Sequence, residues 1–542
     1  MKFDKEHIIE LVRSMPFVSD VTDKGECDGY WTLGLTFPIE GDEPLPFDMC
    51  INTIMSPMKT RGNSPVSFKN ADLMAYPHIM HAGTLCMHTR DCVTWDERIR
   101  EDLSALWEWI ERYYIGGETD DHYDDLVVED TKIKGRKIHF YYSQLDRIPQ
   151  VGEYGVVAYT RLPGRSSNTT DTYLIQGLAG DDGTMSFGEW SDMYQNMAHA
   201  QGVYVMLNGS PSEYDKFAVE SYDALEELCT EQQLAYLYEK LYKSSIEFSP
   251  VFWGYQTPSG KLRWLISYPD KSQPFVKGKK EIHEGEKRWK PSFASVMMNN
   301  VSSEECSYEQ FFGRGRFPTT ITDKKILLMG VGAIGSIVAT TLVRGGARDI
   351  SLCDFDMKHP GNVCRSEYLF TTGQTKKIDE MKQMLEWISP FVKVTTIEDL
   401  HVAFKLPPDI TREQVKTLLD MYDIVFDCSI DGEMMWSIDQ IDTKAQVVNL
   451  SISNEAKELV CAFSPNISEF VTRIYTDVIT ETSEDVYNPE GCWSPTFKAS
   501  YNDVQVMVQY AMRYILKMLS GEMEKANFMI REIGESLRLI RW

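Results

Sequence analysis

The residues best equipped for chemistry sit in one stretch, Lys324 to Lys376. The apolar run Ile326 to Met329 leads directly into Gly330, Gly332 and Gly335. Glycines at that spacing permit a tight turn and close backbone approach to a phosphate, and a helix starting there points its positive end at the same group. Asp354 follows a second strand-like run, Ile350 to Cys353. By itself this is a dinucleotide fingerprint shared by many dehydrogenases, a weak signal. Asp356, Asn362, Arg365 and Lys376 then crowd into the next loop. A redox site needs one acid for a ribose and has little use for an arginine and a lysine. Adenylyl transfer needs both cations, because negative charge builds on the α-phosphate as a carboxylate attacks it. Lys377 stands beside Lys376 as the alternative.

Two cysteines stand apart from the other nine. Cys86 follows Tyr76, Pro77, His78 and His81, and precedes Trp95. A thiolate is nucleophilic and its thioesters stay reactive toward amines, although a lone free cysteine is more often buried and inert. Cys492 lies between Gly491 and Pro495, after the acidic, polar stretch Thr480 to Glu490. That setting suits a thiol poised to react. Cys92, Cys353, Cys364, Cys428 and Cys461 read as structural. A strand-like run from Tyr422 ends in Asp427 and Asp431. Either acid, with phosphate oxygens, suits Mg²⁺.

The elements that must position these groups are legible in part. A helix is expected at 5–14, alternating strands at 31–37 and 47–52, and an amphipathic helix at 98–114. Strand-like pieces follow at 137–142, 155–159, 173–176 and 204–207, with a long helix expected at 212–243. Thr257 to Gly260 reads as a hairpin turn between 251–255 and 262–267. The lysine-rich run 271–290 reads as a solvated loop. Further on, a helix is expected at 334–344, another strand from Val447, and a helix from Asp503 to Leu519.

A chain of 542 residues is too long for one core. Three domains are expected, at 1–120, 121–305 and 306–542. Hydrophobic content of 43% and charged content of 25% are ordinary for a globular protein. Lys+Arg 55 against Asp+Glu 81 gives a net charge of −26, which argues against nucleic acid as the main partner. Eleven cysteines without a CxxC pair argue for a reducing compartment. The charged amphipathic start is unlike a signal peptide, and no apolar run reaches membrane-spanning length. A cytoplasmic protein that does not touch membrane is expected.

The order Gly-x-Gly-x-x-Gly, Asp354-x-Asp356, Asn362-x-x-Arg365, Gly373-x-x-Lys376 resembles the ThiF and ubiquitin-activating-enzyme superfamily, over roughly Phe311 to the C-terminus. The resemblance implies a Rossmann-like adenylation domain that takes ATP and Mg²⁺. It places Asp354 on the ribose, Asn362 and Arg365 on the phosphates, and Lys376 on the α- and β-phosphates. It makes Asp431, ahead of Asp427, the magnesium-side acid, and Asp356 either a further cofactor-binding residue or a loop-stabilising acid. It implies a homodimer in which Arg314 or Arg316 reaches the partner's nucleotide. Gly491, Cys492, Pro495, Thr496 and Phe497 resemble the segment of bacterial relatives that carries an acyl-accepting cysteine. The first 120 residues resemble an α+β ubiquitin-conjugating fold: Pro77, Cys86 and Trp95 match its proline, catalytic cysteine and tryptophan. His78 replaces the asparagine that supports the oxyanion there; His78 or His81 would serve instead. The whole is then an α/β multidomain protein with a mixed α/β linker between the two ends. Such bacterial fusions occur in CBASS-type anti-phage operons. They activate the C-terminus of a ubiquitin-like protein or of a cGAS-like nucleotidyltransferase and pass it to an amine, such as a target lysine. A sulfur-carrier adenylyltransferase of ThiF or MoeB type, or a degenerate scaffold, are the alternatives.

Overall fold

In the computed structural model the described residues are 3–60, 63–119, 125–163, 170–242, 250–270, 272–283, 286–397, 400, 408–479, 486–487 and 496–542. They form three large sheets, each with its own hydrophobic core.

The first core follows from strict alternation. In Tyr30–Phe37 every second side chain is buried, and Leu45–Asn52 repeats the pattern. These two strands, with Asp20–Cys27 and Val66–Lys69, make a four-stranded antiparallel sheet. Helix Lys5–Arg13 is capped by Asp4, and helix Trp95–Trp109 by Thr94. Both lay their apolar stripes on the same core around Trp31. The second helix runs on into a wider turn, Ile110–Ile115, where the expected helix was continuous.

The second sheet closes on itself. Round the closure run Lys137–Tyr142, Asn300–Glu305, Leu262–Ser267, Val251–Gln256, Ala200–Met206, Tyr154–Arg161 and Thr170–Gly180, which pairs back to the first. Its interior is aromatic: the Phe140 ring lies 5.2 Å from Phe252 and 5.4 Å from Tyr159. Closure removes exposed strand edges. The turn at Thr257 to Gly260 is a hairpin as expected, with Gly260 at φ +81°. The helix expected at 212–243 is only Glu231–Tyr242. Ahead of it Tyr214 and Asp215 take positive φ in a small hairpin, and Tyr222–Leu228 coils more tightly to bury Tyr222 and Leu225. The lysine-rich run is not a loop. Val276–His283 and Glu286–Phe293 pair as a hairpin, anchored by Phe275, Val276 and Phe293 in the core outside the closed sheet.

The third sheet has the order Lys393–Ile397, Asp349–Cys353, Lys325–Met329, Ile424–Asp427, Gln446–Ser453, all parallel. Glu458–Phe463, Phe528–Ile533 and Ser536–Arg541 extend it antiparallel. The central strands are apolar on both faces, as burial between helices demands. The chain starts at Lys325–Met329 and builds outward on both sides, so the carboxyl end of that strand is a topological switch point, where such sheets bind ligands. The closed sheet is fastened to this unit just ahead of Lys393–Ile397, where Ser191 N donates to Pro390 O and Trp190 stacks on Phe391.

Among the described residues no helix is long and apolar enough to cross a membrane.

Candidate active site

The switch point opens into a cavity of about 580 Å³. Gly330, Gly332, Asp354, Asp356, Asn362, Arg365, Lys377 and Asp431 all line it. Residues as far apart in sequence as Gly330 and Asp431 thus meet along three loops.

The glycines do different work. Gly330 sits at φ +76°, and a Cβ there would stand 2.6 Å from Ser429 Cα. A Cβ on Gly335 would stand 1.9 Å from Gly330 O. Gly332 faces open space in the cavity wall. Helix Ala333–Arg344 starts there with its first amides toward the cavity end of the sheet.

The acids also separate. Asp354 accepts from Val331 N on one oxygen and from Asp356 N on the other, both 2.8 Å. A carboxylate keeps further lone pairs for a ligand's hydroxyls after two such bonds. Asp427 is buried, accepts from Ser429 and from Asn449 Nδ2, and is absent from the cavity lining. Burial pushes its carboxyl above the usual range, against the pull of those hydrogen bonds. Asp431 lines the cavity and caps helix Gly432–Asp439 through Glu433 N and Met434 N. Of the two acids, only Asp431 is placed to face a ligand. Among the described residues no group of three or more histidines, cysteines and acids is gathered. A cation beside Asp431 would take the rest of its shell from phosphate oxygens and water, the usual habit of Mg²⁺.

The lysines are placed differently from what the resemblance implies. Lys376 stands at the cap of helix Lys377–Ile388 and bridges to Met357 in the backbone. It is Lys377 that lines the cavity, largely buried, with Nζ 2.7 Å from Asp356. Asp356 is therefore an ion-pair partner within the wall, close to the loop-stabilising role expected for it. Asn362 caps its own loop, accepting from His359 N at 2.8 Å.

Three residues with no sequence signal hold this loop. Tyr368 is buried and donates to Val331 O at 2.5 Å, tying the loop under the glycine turn. Lys358 and Glu380 form a buried ion pair at 2.5 Å, 3% and 1% exposed. Nothing in spacing distinguishes them from surface charges. Burial raises the Glu380 carboxyl, but the Lys358 ammonium and the Leu369 amide outweigh it, and the net direction is down. A depressed acid contributes stability above its unfolded value and loses it as pH falls through the folded one. Lys358→Met is expected to cost about 3–5 kcal/mol, read by thermal melting. Its loss of stability should shrink at acid pH, where Glu380 is protonated in both proteins.

At the other end, Cys86 is exposed, and its amide donates to His78 O at 2.7 Å. His78 takes φ +62°, and its ring sits 3.2 Å from Tyr113 Oη. The His81 ring lies 3.9 Å from that of Phe217. Arg98 and Asp102, one turn apart and fully buried at 3.0 Å, gather the flanking loops. Arg98 donates to Pro57 O and Arg90 O, and Asp102 accepts from Ser64 and Thr89. Cys92 is buried and its thiol pushed up, as are those of Cys428 and Cys461. Cys364, expected to be buried, is exposed on the nucleotide loop. The loop's tight coil at Pro360–Arg365 leaves that side chain outside the core. Arg314 and Arg316 are both exposed, and Arg316 is paired with Glu309 at 2.5 Å. Neither lines the cavity. Gly491, Cys492 and Pro495 lie outside the described residues. The segment's flanks pair, Val486 with Phe497 and Tyr487 with Thr496. Ala499 lines the cavity.

A model of the ThiF family matches residues 310–525. Over 229 residues the chain is 27% identical to the "ATP-dependent ubiquitin transferase-like protein Cap2" of Enterobacter hormaechei subsp. hoffmannii, a match covering 41% of this chain and 37% of that protein. Over 147 residues it is 25% identical to the molybdopterin-synthase adenylyltransferase of Haemophilus influenzae, covering 26% and 56%. The chain thus spans well under two thirds of these relatives' lengths. Among solved structures, E. coli MccB with ATP is similar at a TM-score of 0.29 and 16% identity, covering 41% of this chain and 64% of that one. Residues 310–525 are similar to the ThiF family and have a mixed α/β, Rossmann-like architecture, and the cavity lies within them.

Proposed function

We propose that the protein activates the C-terminal carboxylate of a protein partner with ATP and passes the acyl group to an amine. The observation that carries the reading is the pair of joined hollows. Beside the cavity lies a second of about 1490 Å³, sharing Asp356, Asn362, Arg365, Lys377 and Ala499 with it. A nucleotide in the first would present its α-phosphate to an extended peptide end in the second. The shared cations stand where charge develops. Asp354 would hold the ribose and Gly330 and Gly332 the phosphates. Asp431 is the acid suited to Mg²⁺, which when bound would screen the phosphate charge.

A carboxylate oxygen of the partner attacks the α-phosphorus, and pyrophosphate leaves. The Cys492 thiolate attacks the acyl carbon, and AMP leaves. The Cys86 thiolate then takes the acyl group and frees Cys492. Finally an amine attacks, loses its proton, and frees Cys86. The exposed thiol of Cys86, held by His78 between two braced loops, supports the last two steps. The first 120 residues are read as a ubiquitin-conjugating-type module, 121–305 as the linker and 306–542 as the activating unit. A homodimer through the activating unit fits Arg314, exposed and ahead of the first parallel strand, as a residue reaching a partner's phosphates. The relative named Cap2 favours a ubiquitin-like or nucleotidyltransferase partner in a bacterial defence setting. A sulfur-carrier enzyme has no use for the Cys86 module. A degenerate scaffold would draw support from His78 in place of the asparagine and from the extra residue between Asp427 and Asp431, and the second support weakens with Asp431 in the cavity wall.

Asp431→Asn tests the reading. Asparagine caps a helix as well as aspartate does, so the melting temperature should hold within about 0.5 kcal/mol of stability. Partner-dependent ATP–pyrophosphate exchange should fall about 10²-fold through the lost charge. Unchanged exchange in the folded variant would remove Asp431 from the site.

A further inference from the structure

Lys216 belongs to the closed-sheet body, on the turn between Ser212–Glu213 and Phe217–Ala218. It is 4% exposed. Its side chain leaves that body and enters the N-terminal one. There Nζ donates to Met74 O at 2.5 Å, Tyr76 O at 2.6 Å and Ile79 O at 3.0 Å. An ammonium has three protons, and all three are used. No carboxylate among the described residues pairs with it, and burial alone pulls its pKa down to about 8.

The two carbonyls between Tyr76 and Ile79 are also taken. Pro77 O accepts from Trp109 Nε1 at 2.9 Å, and His78 O from the Cys86 amide at 2.7 Å. Lys216 therefore holds the loop on both sides of the carbonyl that holds Cys86. The next residue, Phe217, packs its ring on His81 within the same loop. An unpaired buried ammonium is costly, and a leucine would join two bodies at less expense. What an ammonium adds is three carbonyls turned toward one point. That constraint fixes a loop containing three residues at positive φ, His78, Ala82 and Gly83.

We propose that Lys216 is a positioning residue for Cys86, a strut from the closed-sheet body that sets the loop from which the thiol is presented. The proposal rests on the acyl-carrier reading of Cys86.

The test uses the full chain with Lys216→Met, which keeps length and loses every donor, and Lys216→Gln, which keeps two. Amide hydrogen exchange at Cys86 and Met80 should quicken about tenfold or more in Lys216→Met and less in Lys216→Gln. Once Cys86 is charged, kcat for discharge to an amine should fall about tenfold with the amine's KM unchanged, since misplacement slows reaction without changing acceptor binding. ATP–pyrophosphate exchange and charging of Cys492 should stay at the wild-type rate. Equal exchange rates in all three proteins would overturn the strut. So would a parallel loss of adenylation, which marks general destabilisation. If wild-type Cys86 never carries an acyl group, the carrier reading fails, and hydrogen exchange still decides whether Lys216 holds the loop.

Discussion

Gly335→Ala is expected to abolish nucleotide binding and to cost the fold about 3 kcal/mol. The added methyl would stand 1.9 Å from Gly330 O, a backbone atom with little room to retreat. Gly330 already packs against Ser429 Cα and Cys428 O at 2.6 and 2.7 Å from an ideal Cβ position. Its turn cannot move toward the neighbouring strand end. The helix must instead slide outward, and its first amides leave the cavity. A displacement of about 1 Å at a reacting group costs on the order of 10²-fold in rate, and here the whole phosphate-facing turn moves. Gly332→Ala is the control. Nothing lies within 4 Å of its Cβ position, so its methyl perturbs the cavity and leaves the packing alone. Melting curves and calorimetric titration with a non-hydrolysable ATP analogue read both. A Gly335→Ala protein that melts and binds like wild type would mean that the turn is not the phosphate cradle.

The contrast between these glycines marks what spacing can and cannot reveal. Gly330, Gly332 and Gly335 announce a turn, and the turn forms at the carboxyl end of the strand that precedes it. Asp354, Asn362 and Arg365 reach the cavity because a short parallel strand must end at the switch point and the next loop must cross it. Lys377 taking the cavity wall was not legible. Two adjacent lysines at a helix start point in different directions, and only the packing of the helix against its sheet decides which turns inward. Asp427 and Asp431 were separable only through burial, since Asn449 arrives from another strand to occupy the first. The closed sheet was least legible. Its strands are readable one by one, but the parallel pairing of Lys137–Tyr142 with Thr170–Gly180 depends on long-range closure. Lys216 shows the same limit. Its partners are carbonyls some 140 residues away, and carbonyls carry no side-chain signature.

Cys492→Ala and Cys86→Ala are expected to stop the reaction at different stations. The first should keep partner-dependent ATP–pyrophosphate exchange at the wild-type rate, because adenylation uses the cavity cations and no thiol. It should form no thioester, and product should drop at least about 10³-fold once the covalent route is closed. The second should charge Cys492 normally and then stall, accumulating a thioester cleaved by dithiothreitol. The two thiols share one chain, and tethering raises the effective concentration of one near the other to roughly millimolar. Mixing the two variants tests whether transfer also runs between chains. Recovery of product in the mixture means that the acyl group crosses a dimer, and its absence means that each chain serves its own Cys86. Cys364 supplies the control that separates a relay from general thiol chemistry. It is exposed and stands on the nucleotide loop, nearer the cations than Cys86 is along the chain. Cys364→Ala should nevertheless leave both thioesters and product unchanged. Product persisting in Cys86→Ala, with Cys492 still charged, would remove the N-terminal module from the reaction and leave direct aminolysis from Cys492 as the route.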